Sequence, residues 1–140
     1  MADTIQIDIV SAEGEIFAGP AKLVVLPASE GEIGVTPHHA ALLTLLKPGE
    51  VRVQSPDGEE HSFYVGGGAL EVQPNRITVL ADTAARGREL DEAAALAAQQ
   101  RAQEALAGRL DKISYAEAQA ELARAVAQLK LIQKLRKVKG

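Results

Sequence analysis

Residues 69–98 read ALEVQPNRITVLADTAARGRELDEAAALAA, and the hydrophobic pattern changes character inside them. The first half holds two short apolar runs, Ala69–Val72 and Arg76–Leu80, parted by Gln73-Pro74-Asn75. Side chains of a strand alternate between its faces, so short β-branched runs between Gly, Pro and Asn signals read as strands. Near residue 90 these runs stop. Asp91 then precedes an alanine-rich stretch without proline, the pattern of an N-cap opening a helix. The chain therefore divides into a β unit over residues 1–88 and a helical unit over residues 89–140.

Toward the N-terminus the strand pattern continues. Ile5, Ile7 and Ile9 face one way, Gln6 and Asp8 the other. Lys22–Leu26, Glu50–Gln54 and Ser62–Val65 are similar runs. Ala18-Gly19-Pro20, Lys47-Pro48-Gly49 and Ser55-Pro56-Asp57-Gly58 read as turns between them, and Pro56-Asp57-Gly58 has the chemistry of a tight hairpin. All six prolines precede residue 75. Spacing of this kind predicts a sandwich or barrel. Gly66-Gly67-Gly68 lacks the Gly-Lys-Ser/Thr of a phosphate loop and predicts a bulge or a close backbone approach in a strand.

Toward the C-terminus, Asp91 and Gly108 bracket a first helix as N-cap and C′ residue. Ser114-Tyr115-Ala116-Glu117 is a capping box that opens a second. Tyr115, Ala118, Leu122, Ala125, Leu129 and Ile132 recur in steps of three and four, one apolar stripe. The short link from Gly108 to Ser114 predicts an antiparallel hairpin, with Ala93, Ala94, Ala97 and Ala98 allowing close approach. The expected fold is α+β: an N-terminal antiparallel β-sandwich followed by a C-terminal antiparallel two-helix hairpin.

Composition narrows the function. In 140 residues there is no cysteine, so thiolate chemistry and cysteine zinc sites are excluded. No apolar run approaches the ~20 residues of a membrane span, and no signal peptide is visible, so a cytoplasmic location is expected. The net charge of −4 is uneven: residues 1–89 hold 6 basic against 13 acidic groups, residues 90–140 hold 9 against 6. His38 and His39 are adjacent, which on a strand sends them to opposite faces, and His61 is not spaced as a third ligand. No Ser/His/Asp order is convincing. The residues alone therefore predict a non-catalytic interaction module with a basic helical end. A stand-alone adaptor, using that helix on an acidic protein or nucleic acid, is the alternative; an acidic body with 3% aromatics speaks against nucleic acid.

Four segments carry a family resemblance: DIVSAEGEIFAG (8–19), SEGEIGVTPHHAALLTLLKPG (29–49), GGGALEVQPNRITVLADTA (66–84) and AQAELARAVAQLKLI (118–132). In this order they resemble the epsilon subunits of bacterial F-type ATP synthases nearly end to end. The resemblance implies a sandwich plus helical hairpin and a non-catalytic rotor subunit without cofactor. Its implied partners are the gamma subunit, the c-subunit ring, and the alpha and beta subunits of the catalytic head. It would couple proton flow to ATP synthesis and restrain ATP hydrolysis through its C-terminal helices. Its place would be the cytoplasmic face of the bacterial inner membrane, held there through the complex, with no nucleic acid. Glu30, Glu32 and His39 align with the c-ring end of the sandwich and Ser11 with the rotor interface. Lys130, Lys134, Arg136 and Lys137 are the expected alpha/beta contacts. Some members bind ATP through Ile/Leu-Asp-x-x-Arg-Ala. Here Leu90, Asp91, Arg101 and Arg124 match a degenerate version, but Ala94 and Gln128 stand where arginines would be, so ATP binding is expected to be weak or absent.

Overall fold

The computed structural model describes residues 3–108 and 114–139, so most of the predicted interhelical link lies outside the described residues. The chain forms two compact units, residues 1–86 and 87–140.

The first unit is built from β1 (Ile5–Ser11), β2 (Gly14–Ala21), β3 (Leu23–Ala28), β4 (Gly31–Val35), β5 (Leu42–Gln54), β6 (Glu60–Gln73), β7 (Arg76–Ala81) and β8 (Ala84–Arg86). Hydrogen bonding orders them β2-β1-β7-β6-β5-β3-β4, with β8 also on β6. The expected sandwich is present. Among the described residues β1 and β7 pair in parallel and the other pairings are antiparallel. The core is aliphatic, as the composition requires: Ile5, Ile7 and Ile9 from β1, Val24 and Leu26 from β3, Ile77 and Val79 from β7, with Phe63 among them. Each such side chain contributes about 1.5–3 kcal/mol when fully buried.

The runs Ser62–Val65 and Ala69–Val72 belong to one strand of 14 residues, and Glu50–Gln54 is the end of a 13-residue strand. These long strands change which face is buried partway along. In β6 the inward residues are Phe63 and Val65 before the glycines, and Leu70 and Val72 after them. In β5 they are Leu46, then Val51 and Val53. The switch falls where Leu46 pairs with Gly68 and Pro48 with Gly66. Gly67 and Gly68 take φ of 99° and 136°, values that favour glycine. The register of β6 with β7 and with β8 continues unchanged across the triplet, so the close backbone approach, and not a bulge, is what the glycines serve. A Cβ on Gly68 would stand 2.1 Å from the Leu80 carbonyl oxygen.

Two turn expectations are corrected. Ala18-Gly19-Pro20 lies inside β2, an edge strand where a proline leaves no ladder bond unmade. Lys47-Pro48-Gly49 lies inside β5, where the register against β3 shifts between Val25 and Ala28. Such an irregularity tolerates proline within a sheet. Ser55–Glu59 is a hairpin loop as expected. The Asp57 carboxylate accepts from Glu59 N–H at 2.9 Å, and Gly58 takes φ 88°. Pro74-Asn75 forms the tight β6–β7 turn.

The second unit opens with a 3-10 turn, Gly87–Glu89, followed by α1 (Glu92–Leu106) and α2 (Tyr115–Lys139). Asp91 caps α1, its carboxylate accepting from Ala94 N–H at 3.2 Å, and Gly108 follows the C-cap with φ 78°. Ser114 Oγ accepts from Glu117 N–H at 3.2 Å, one half of the predicted capping box. The helices are antiparallel: Glu92, early in α1, reaches Arg136, late in α2, while Arg101 reaches Glu121. The packed face of α1 differs from the expected one. Ala95 and Ala102 are buried, whereas Ala93, Ala94 and Ala97 are exposed and Ala98 is half-buried. On α2 the stripe is buried at Ala118, Ala125 and Leu129 and half-buried at Leu122 and Ile132, but Tyr115 is 65% exposed. Leu131 is buried too. In the first turn a tyrosine meets little of the neighbouring helix, so the periodic pattern overreaches at that end.

Candidate functional site

The chemistry-bearing residues do not converge. His38 sits at φ 69° with its ring 3.2 Å from the Asp3 carboxylate. The His39 ring lies 2.7 Å from the Ala40 carbonyl. Among the described residues no group of three or more His, Cys, Asp or Glu could hold a metal ion. A shallow cleft lined by Leu23, Val25, Arg52, Gln54 and Glu60 encloses about 170 Å³. Small-molecule sites take roughly 300–1,000 Å³.

What the sandwich does present is an apolar row on its outer face. Because Ile7 and Ile9 of β1 and Ile77 and Val79 of β7 point inward, Val10 and Leu80 point out. Register then aligns four strands: Leu45 lies opposite Ala69, Ala69 opposite Leu80, and Leu80 opposite Val10. Leu45 is 66% exposed, Leu80 55%, and Leu43, two residues along β5, 76%. Apart from Leu43, the next row over is polar, with Glu71, Thr78 and Asp8. There the Arg76 guanidinium donates to Asp8 at 2.8 Å. A bounded apolar stripe on an otherwise charged unit marks a surface meant to be covered by another protein. Sequence reasoning did not single it out. Its signal was Leu42-Leu43-Thr44-Leu45-Leu46, since leucines in nearly unbroken succession on a strand must fall on both faces.

The residues singled out by resemblance occupy distinct places. Ser11 ends β1 beside Val10, its Oγ accepting from Glu13 N–H at 3.3 Å. Glu30 is exposed in the β3–β4 turn, and Glu32 is exposed on β4 with its carboxylate 3.4 Å from the Arg52 guanidinium. His39 is half-buried in the connection from β4 to β5. In the hairpin, Lys130 and Lys137 are exposed, Lys134 is half-buried, and Arg136 pairs with Glu92 at 3.1 Å. Leu90 and Arg124 are half-buried, Asp91 serves as the cap, and Arg101 is paired with Glu121. Among the described residues no helix is long and apolar enough to cross a membrane.

A sandwich with an uncovered apolar row, followed by a charged helical hairpin, defines a two-part protein that works by docking onto others. Comparison with known proteins names the class. Residues 4–87 match the family model "ATP synthase, Delta/Epsilon chain, beta-sandwich domain", and residues 88–133 match "ATP synthase, Delta/Epsilon chain, long alpha-helix domain". The chain belongs to the ATP synthase delta/epsilon family. It is 61% identical to the ATP synthase epsilon chain of Nitrosococcus oceani over 100% of both chains. It is 60% identical to that of Alkalilimnicola ehrlichii over 96% of each. Its fold resembles a chain in the cryo-EM structure of Euglena gracilis mitochondrial ATP synthase (OSCP/F1/c-ring), with TM-score 0.69, 19% identity, and 98% of this chain and 82% of that one covered. The adaptor alternative is not supported: the helical unit that carries the basic end matches the family's second domain over residues 88–133.

Proposed function

We propose that this chain is a non-catalytic central-stalk subunit of a bacterial proton-translocating F-type ATP synthase. It would help couple the membrane rotor to ATP synthesis and restrain hydrolysis through its hairpin. The observation that carries this reading is the match of both units, in order, to the family's two domains. The apolar row of Leu45, Ala69, Leu80 and Val10, extended by Leu43 at its edge, supplies a surface for the gamma subunit, with Ser11 at its margin. Glu30, Glu32 and His39 supply polar contacts to the c ring. Lys130, Lys134, Arg136 and Lys137 supply cations for acidic segments of the alpha and beta subunits. Each such surface pair contributes about 0–1 kcal/mol, so the four act only in sum. The chain would be held at the cytoplasmic face of the inner membrane through these partners.

The test is co-purification from membranes. Tagged chain should recover gamma-, alpha- and beta-type subunits, and recovery of none would overturn the assignment. The chain has no cysteine of its own, so Glu32→Cys is a unique crosslinking site. It should crosslink to the polar loop of a c subunit within the assembled complex. Crosslinking only to alpha or beta would move the c-ring surface elsewhere.

Nucleotide binding to this hairpin would be weak or absent. Ala94 offers no side-chain donor, Asp91 is committed to the helix cap, and Arg101 is committed to Glu121. Phosphate recognition relies on fixed guanidinium donors. Titration calorimetry of the isolated chain with ATP should give no binding, or a Kd weaker than about 1 mM, near −4 kcal/mol. A micromolar Kd would refute this reading.

A further inference from the structure

Glu32 stands on β4, an edge strand of the sheet, with its side chain 65% exposed. Left to itself, such a carboxylate samples many rotamers. Its partner comes from two strands away. Val25 of β3 lies opposite Gly34 of β4 on one side and opposite Arg52 of β5 on the other, so β5 runs about 9–10 Å from β4. The Arg52 guanidinium crosses that gap and donates to Glu32 Oε1 at 3.4 Å.

The crossing is built into the sheet. Arg52 lines the shallow cleft together with Leu23 and Val25, so its apolar stem has apolar surface to lie along. Gly34, on the same face of β4 as Glu32, brings no side chain into that space. Glu50, two residues before Arg52, accepts from Ser62 Oγ at 2.6 Å, and Glu60 lines the same cleft, yet the guanidinium donates to Glu32. Burial orders the pair. The Arg52 side chain is 33% exposed, half the value for Glu32. The arginine is the held member and the glutamate the presented one. A carboxylate has two oxygens and about four acceptor sites, so the bond to Oε1 leaves sites for a donor from outside.

We propose that Arg52 is the positioning residue of the Glu32 contact: it fixes the carboxylate in advance, so that the polar loop of a c subunit meets an ordered acceptor. This rests on the c-ring reading of Glu32 given above. Arg52 acts through Glu32 and does not itself touch the partner. Ordering a flexible side chain at the moment of docking weakens binding, and ordering it beforehand removes that loss.

The soluble catalytic head, reconstituted with the full-length chain, is titrated onto membranes that carry the c ring, and the half-saturating concentration is measured. Arg52→Ala should raise it about threefold to tenfold, the range set by freeing one side chain. Glu32→Ala should raise it at least as much, and Arg52→Ala/Glu32→Ala no further than Glu32→Ala alone. Pull-down on isolated gamma subunit should be unchanged in every variant. Docking of Arg52→Ala like the parent, while Glu32→Ala docks poorly, overturns the positioning role. So does a double variant whose loss is the product of the two single losses, the mark of an independent role for Arg52. Weakened gamma binding by Arg52→Ala would mark a structural role and overturns it too. If Glu32→Ala itself docks like the parent, the c-ring assignment of Glu32 falls first, and the positioning role falls with it.

Discussion

Gly68→Ala is expected to lower the stability of the sandwich by about 4 kcal/mol, near the upper end of single-substitution effects. Two independent strains add. The backbone sits at φ 136°, where an L side chain is disfavoured by about 1–3 kcal/mol. The new Cβ would also lie 2.1 Å from Leu80 O and 2.9 Å from Ala81 Cα, both backbone atoms of β7. Neither can move without breaking the β6–β7 ladder at the level where β6 exchanges its buried face. For a unit of this size the loss corresponds to a fall in Tm of roughly 20 °C. Gly34→Ala is the control. Its Cβ would meet only Leu23 Cδ1, at 3.6 Å, so thermal unfolding of that variant should be nearly unchanged. A Gly68→Ala protein that melts with the parent would show that the close approach does not hold the strands.

Leu45→Asp/Leu80→Asp should leave folding intact and abolish assembly. Both leucines are already largely exposed, so Tm should move little, in keeping with a surface change of about 0.5 kcal/mol or less. In the complex the same positions would be covered. Losing two buried leucines removes about 3–6 kcal/mol, and desolvating two carboxylates adds to that. At 1.4 kcal/mol per tenfold, binding to the gamma subunit should weaken at least about 100-fold. Co-purification and a pull-down on isolated gamma subunit read this directly. Undiminished recovery of gamma by the doubly substituted chain would show that the row faces something else.

The legible parts of the molecule were those whose cause is local. Alternation at Ile5, Ile7 and Ile9 marks a strand with one buried face, and that strand is β1. Asp91 and Gly108 bound α1 because a cap satisfies its own helix end. Pro56-Asp57-Gly58 turns the chain through its own side chain and its own φ. The less legible parts depend on a neighbour. β2 and β4 are the two edges of the sheet, paired on one side only, and their patterns are correspondingly blurred. Alanines occur on every face of α1, so composition could not say that Ala95 and Ala102 are the buried pair and Ala93, Ala94 and Ala97 the exposed ones. The apolar row is assembled by register across four strands from positions 10, 45, 69 and 80, which no local window contains.

By itself the sequence determined the division near residue 90, the aliphatic core, the helix caps and the family, because each rests on residue type and short-range spacing. Only the tertiary structure decided which outward leucines line up, which glycine of the triplet admits no Cβ, and which arginines are already paired within the hairpin. The physical reason is distance along the chain. Register and helix pairing bring together residues tens of positions apart, and one residue's shift in register would turn Leu45 and Leu80 inward.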